Sequence, residues 1–407
     1  MAAGTESPQA ALPERRRPEL DAMRMLVVIG LVFFHSALVF ATEGDFYVTN
    51  TETTEAITVI AGFGVVWAMP LLFLISGLGA WHSLQRRGAG TFTKERLLRL
   101  GVPLLVGTLL LNPLPQWLRQ RSSDPDHDES YVDFLPRFFD VHVEFDEFPF
   151  FVQGEHFETG HLWFVVLLLT FSLMLAPLHR FLPHEPFRRL ADRVAAVTLR
   201  RRGVVLLPAL AFAAICAFAG MEEDYAGWHR WSYLLFFAAG FTLATDTRFR
   251  AVMRRDARAT ACLGALLFTA AAPGFTTADD PFTATTPLAV VSRALFGAAG
   301  WCLVVAIPGL LDRPRPRPPQ EPLTPTAPTT PTTRQRIYGY LAAAVLPLYV
   351  LHQPIVVAVA YFVVGWAAPI PVEYVALVTI SLALTLAAYE LLVRRTRATR
   401  FLFGMRG

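Results

Sequence analysis

Residues 26–40 read LVVIGLVFFHSALVF, and how this stretch is read decides the rest of the chain. Nearly every residue is apolar. That suits a helix inside a bilayer, where the backbone can find hydrogen bonds only within itself. His35 is out of keeping: a polar ring at that depth needs a partner or a purpose.

Similar runs recur along the 407 residues. Hydrophobic side chains make up 54% of the chain and charged ones only 17%, less charge than a water-soluble protein of this size carries. Runs long enough to cross a bilayer predict ten helices, near 25–41, 57–82, 100–117, 161–178, 203–220, 230–245, 259–275, 287–311, 338–363 and 372–393. The expected fold is therefore all-α, a polytopic integral membrane protein of one helical domain. The basic cluster Arg15–Arg17 precedes the first run, but no small-residue cleavage pattern follows it. The run is read as a retained transmembrane helix and not as a signal peptide.

The loops sort by charge. If the N-terminus is cytoplasmic and the chain alternates, all Lys and Arg fall on the inner side except Arg119, Arg121, Arg137, Arg230 and Arg293. The positive-inside rule then sets the orientation, with both termini cytoplasmic. Acidic stretches such as DPDHDES and MEED fall outside. Residues 1–17 read as a disordered tail, 18–395 as the membrane domain and 396–407 as a basic tail. Within the domain, 118–160 is a long acidic and aromatic outer loop, expected to be a lid, a re-entrant piece or an acceptor-binding surface. Residues 312–336 are Pro/Thr-rich and read as an extended cytoplasmic linker. Cys216, Cys262 and Cys302 sit in apolar runs with no metal-ligand or disulfide spacing, and read as small core residues. No metal site is indicated, and nothing points to nucleic acid.

Arg24 precedes His35 by eleven residues. At about 1.5 Å and about 100° per residue, that places the two on one helix face roughly 16 Å apart. Asp21 can pair with Arg24 on the same face. Arg96 and Arg99 share a face at the start of the third helix, and such guanidinium groups suit phosphates. Basic residues at inner helix ends also follow from the positive-inside rule alone. His35 has two readings as well, a structural contact between helices or a reacting group. Tyr349 and His352, spaced i, i+3, lie about mid-membrane in the ninth helix. Glu390 is read as an ion pair with Arg394 or Arg395. Arg293 is read either as snorkelling outward or as facing an acceptor. His161 and Trp163 are placed at the outer interface.

Taken in order, RRPELDAMRMLVVIGLVFFHSALVF, MPLLFLISGLGAWHSLQRRG, FTKERLLRLGVP, HLWFVVLLL and LPLYVLHQP resemble the membrane-bound acyltransferase-3 family, and within it the branch of the periplasmic-glucan succinyltransferases. The resemblance runs over about residues 17–395. It implies a ten-helix membrane fold in the inner membrane. It also implies transfer of an acetyl- or succinyl-type group from cytosolic acyl-CoA to a hydroxyl of an extracytoplasmic glycan or glycolipid. By resemblance His35 is the catalytic histidine, acting as general base or as transient acyl carrier, and either route needs a neutral imidazole. Arg24, Arg96 and Arg99 would hold the coenzyme. Tyr349 and His352 match a recurrent LYxxH element and are candidates to stabilise the oxyanion. Leu391 stands where many members have Pro after the terminal Glu. A transporter or flippase would also use a midplane histidine, and a structural membrane protein would leave the Arg24–His35 register unexplained.

Overall fold

A computed structural model describes residues 18–42, 45–124, 126, 128–181, 183–312 and 332–405. The tail expected over 1–17 and most of the linker expected over 312–336 lie outside these residues. Within them the chain is mostly helical, with hardly any strand. Seven helices are long and apolar enough to cross a membrane: Glu19–Leu38, Glu55–Ser123, Gly160–Phe181, Thr247–Thr277, Pro287–Leu311, Arg336–Trp366 and Ile370–Val393.

The difference from ten has local causes. The 69 residues Glu55–Ser123 take in both the second and the third expected spans, with a kink at Gly88 (φ 71°) between them. They comprise α2 (Glu55–Arg96), a π-turn over Leu97–Gly101, α3 (Val102–Leu110) and α4 (Pro113–Ser123). The fifth and sixth expected spans form shorter helices. One is α8 (Pro208–Ala214) extended by a π-turn to Ala219, and the other is α9 (Arg230–Leu243).

The remaining elements run in chain order. α1 is Pro18–Leu38, with Glu19 and Asp21 in its first turn, where carboxylates suit the helix dipole. α5 is Tyr131–Phe138, and its cap Ser130 accepts from the Asp133 N–H. α6 is Trp163–Phe181, α7 His184–Arg200, α10 Thr247–Thr277, α11 Pro287–Leu311, α12 Thr333–Val363, α13 Ile370–Ala388 and α14 Arg397–Leu402. α7 lies where an inner loop is expected, and α12 begins inside the expected linker. α14 turns part of the expected basic tail into a helix that packs against α3.

The closest helix pairs are α10 with α11, α2 with α9, and α1 with α12. Without a hydrophobic drive between helices in lipid, close backbone approach at small residues must hold them. The α2–α9 contact does this twice over. A β-carbon on Gly77 would lie 2.0 Å from the Phe237 carbonyl oxygen, and one on Gly240 would lie 2.0 Å from that of Leu74. Large apolar side chains on the outer surface, such as Leu26, Ile60, Phe218 and Phe362, stay exposed, as lipid-facing residues do. Cys216 and Cys302 are buried, but Cys262 faces outward from α10.

Arg293 takes neither role expected for it. It is 2% exposed and turned inward. Its Nε donates to Cys216 O at 3.1 Å, Nη1 to Pro281 O at 2.9 Å and Nη2 to Ala217 O at 3.3 Å. It thus caps carbonyls that the π-turn after α8 leaves free. Arg293→Met is expected to cost about 3 kcal/mol, since charged hydrogen bonds are lost and carbonyls left bare. A lowered unfolding midpoint in detergent, with no change in acyl-donor affinity, checks this.

The loop expected to face outward is folded. After α4 come α5 and a short antiparallel ribbon, β1 (His142–Val143) against β2 (Val152–Gln153). Phe134 and Phe138 are fully buried. Arg230 at the start of α9 pins the ribbon's turn: it bonds Glu222 through Nε at 2.7 Å, Phe148 O through Nη1 at 3.0 Å and Glu147 through Nη2 at 3.2 Å.

Candidate active site

Three histidines meet in the bundle. His35 comes from α1, His352 from α12, and His161 from the 3-10 turn Gly160–Leu162 that leads into α6. The His35 and His352 ring centroids are 5.2 Å apart, and those of His161 and His352 are 5.0 Å apart. Phe46 stacks on His35 at 5.9 Å. Tyr349 lies 5.6 Å from His352 and 5.4 Å from His161.

Hydrogen bonds fix two of the three tautomers, because a backbone carbonyl can only accept. The His352 Nδ1–H donates to Tyr349 O at 2.6 Å, so the neutral ring keeps a lone pair on Nε2. The His161 Nε2–H donates to Val350 O at 3.2 Å. His352 is fully buried, and His35 is half-buried. His352 Nε2 and His35 Nδ1 are both buried atoms with no hydrogen-bond partner among the described residues. Buried polar atoms are nearly always paired, so two bare nitrogens on neighbouring rings mark a place where a reacting group can dock. No three His, Cys, Asp or Glu side chains among the described residues are arranged to hold a metal ion.

Tyr349 is buried, and its hydroxyl donates to the carbonyl of His161. That proton is already committed to the backbone, so the residue joins α12 to the turn bearing His161. His161 was expected at the outer interface with Trp163, not beside His352. Its neighbours GHLWF gave a membrane-interface signal, and nothing in the spacing tied residue 161 to 35 or 352. Trp163 packs inward against Tyr225 and Tyr233.

α1 carries Arg24 and His35 on one unbroken helix. Arg24 pairs with Asp21 at 3.2 Å and donates to Ile75 O at 3.1 Å. Arg96 stacks over Phe92 at 4.9 Å. Arg99 lies 3.8 Å from Glu95 and donates to Gly404 O at 3.4 Å, which brings the C-terminal segment against the RxxR turn. Arg24 and the Arg96/Arg99 pair thus have different neighbours. Glu390 forms the ion pair expected of it, with Arg394 at 2.8 Å, and also accepts from the Tyr340 hydroxyl at 2.6 Å.

The fold is that of a multi-pass helical membrane protein, and a match over nearly the whole chain places it among the acyltransferases. The acyltransferase domain model matches residues 17–390, and the chain belongs to the acyltransferase-3 family. A curated relative is glucans biosynthesis protein C of Salmonella gallinarum. It is 23% identical over 213 residues, which cover 51% of this chain and 50% of that protein. The chain therefore spans about half the length of the curated relative it matches. No solved structure matches this chain.

Proposed function

We propose that this protein is a membrane-bound O-acyltransferase. It moves an acyl group of the acetyl or succinyl type from cytosolic acyl-CoA to a hydroxyl of an extracytoplasmic glycan or glycolipid in the cell envelope. The observation that carries the reading is the His35–His352 contact, with its two unpartnered buried nitrogens, on a chain of acyltransferase family. The name of the curated relative, which concerns glucans, favours a carbohydrate acceptor.

In this reading His35 takes the proton of the acceptor hydroxyl as general base. The hydroxyl oxygen attacks the thioester carbon, the C–S bond breaks, and the imidazolium returns the proton to the departing thiolate. His352 presents its Nε2 lone pair beside His35, and Tyr349 and His161 hold His352 in place. Arg24, Arg96 and Arg99 take the coenzyme phosphates at the cytoplasmic side. The roughly 16 Å between Arg24 and His35 is set by helix rise, and a pantetheine arm spans it. Such alignment is itself a large share of the acceleration. The protein crosses the inner membrane ten times, with both termini cytoplasmic: Glu55–Ser123 crosses twice, and the two shorter helices around α8 and α9 each cross once.

The test uses the full chain in nanodiscs with labelled acetyl-CoA or succinyl-CoA and a gluco-oligosaccharide. Transfer of label to the sugar is expected. Neither turnover nor binding of acyl-CoA by wild type would overturn the reading in favour of a transporter. Arg24→Ala and Arg99→Ala are expected to raise the KM for acyl-CoA about tenfold each, equal to about 1.4 kcal/mol of binding, with kcat nearly kept. Unchanged KM values would remove these residues from the donor site.

A further inference from the structure

Beside the histidine cluster, on its outer edge, lies a second set of polar groups that the transfer step leaves unused. Gly160, next to His161, has φ +48°, and a β-carbon there would lie 3.0 Å from the Tyr47 hydroxyl, 3.4 Å from Glu158 Oε1 and 3.5 Å from Asn112 Nδ2. Only glycine accepts this backbone freely, and its missing side chain lets three polar groups close around it. They come from separate places: Tyr47 from the loop after α1, Asn112 from the α3–α4 junction and Glu158 from the end of the outer loop.

The three are wired together but not saturated. The Tyr47 hydroxyl donates to Glu158 Oε1, and Asn112 Nδ2 donates to the Glu158 carbonyl at 3.3 Å. Asn112 is 2% exposed, and its buried Oδ1 has no partner among the described residues. Neither has Gln353 Oε1, next to His352 in the chain. Phe46, which stacks on His35, also meets Tyr47 edge to face at 5.5 Å. One aromatic ring thus separates this set from His35.

The chemistry selects a neutral polyol. Burial and the nearby Asp224 and Asp45 carboxylates raise the pKa of Glu158 to about 8. At neutral pH it is a carboxylic acid that both donates and accepts. Arg119, a nearby cation, stacks over the Tyr47 ring at 4.7 Å and pairs with Asp45 at 3.2 Å. An anionic ligand would meet the Asp45 and Asp224 carboxylates, whereas vicinal sugar hydroxyls supply donors to Asn112 Oδ1 and both donor and acceptor to Glu158. Phe46 and Tyr47 offer faces for the sugar's C–H groups.

We propose that Glu158, Tyr47 and Asn112 form the subsite for a neutral sugar unit of the acceptor, so that an adjacent hydroxyl is presented to the histidine cluster. The inference rests on the acyl-transfer reading for the identity of the acceptor alone. Its test is therefore equilibrium binding of a β-linked gluco-oligosaccharide to the full chain in nanodiscs without acyl-CoA, followed by acceptor kinetics. Glu158→Ala and Tyr47→Phe are expected to weaken binding, and to raise the acceptor KM, tenfold or more, with the acyl-CoA KM unmoved. Glu158→Gln keeps a donor and an acceptor and should bind within about threefold of wild type. It adds a readout that a structural role would not give. Wild-type binding should weaken as pH rises through about 8, where Glu158 ionises beside Asp45 and Asp224, and Glu158→Gln should abolish that limb. Should Glu158→Ala fail to fold, the Gln variant and its pH profile still decide. The proposal is overturned if wild type does not bind the oligosaccharide, if Glu158→Ala binds it normally, or if Glu158→Gln keeps the same limb. Any of these, with thioester turnover intact and dependent on His35, would leave the acyltransferase reading standing.

Discussion

Replacing His35 with alanine is expected to lower kcat for acyl transfer by about 100- to 10,000-fold, the range a positioned general base supplies. That corresponds to about 2.7–5.5 kcal/mol of transition-state stabilisation. The size of the effect follows from where the ring sits. Among the described residues His35 Nδ1 is buried with no hydrogen-bond partner, 5.2 Å from a second imidazole whose own bare nitrogen is Nε2. The KM for acyl-CoA should stay within a few-fold, because the arginines remain. His35→Gln keeps the volume and polarity and should be as inactive as alanine, which separates loss of the base from loss of packing. Rates of label transfer to a gluco-oligosaccharide decide it, and a His35→Ala protein that transfers at the wild-type rate would sink the mechanism. The same preparation distinguishes the two routes. Without acceptor, an acyl-histidine enzyme would take up labelled acyl group stoichiometrically in a burst, whereas a general base leaves the protein unlabelled.

The largest expected effect on stability lies at the α2–α9 crossing. Gly240→Val brings a β-carbon to 2.0 Å from the Leu74 carbonyl oxygen, and the two backbones must part by more than an ångström to admit it. Overpacking of this kind costs about 1–3 kcal/mol and sometimes more. Here the neighbour is backbone, which cannot swing aside as a side chain does, so the upper end is expected. Gly77→Val should act the same way from the other helix. Gly339→Ala on α12 is the control, since nothing lies within 4 Å of its added β-carbon. Size-exclusion profiles after heating in detergent should show the first two unfolding well below wild type and the third at or above it. Equal midpoints for Gly240→Val and wild type would show that the crossing is looser than described.

Much of this could be read from residues alone, for physical reasons. Apolar length reveals a spanning helix because lipid demands it, and six of the expected spans emerge as separate long helices. The fifth and sixth expected spans, 203–220 and 230–245, emerge with nearly those bounds as Val204–Ala219 and Arg230–Leu243, helices shorter than the others. The Arg24–His35 register needed only helix geometry, and so did the Tyr349–His352 pairing. His161 did not yield, since its place beside His352 depends on how α6 and α12 pack across 191 positions of chain. Arg293 failed for a related reason. Whether a lone arginine faces lipid or a set of carbonyls depends on the bend of another helix. Asn112 and Glu158 carry no local signal, and only the closure around Gly160 brings them together.

The three histidines also set an order of events in the life of the chain. They enter the bundle on α1, on the turn before α6, and on α12, at positions 35, 161 and 352. During synthesis the first two can be in the bilayer while the third is still unmade. A nascent chain therefore has no complete histidine cluster until α12 has inserted and docked on α1. On the proposed acyl-transfer mechanism, thioester chemistry would be withheld from every incomplete intermediate. A preparation split in the linker before α12 should accordingly become active only when both pieces are made together.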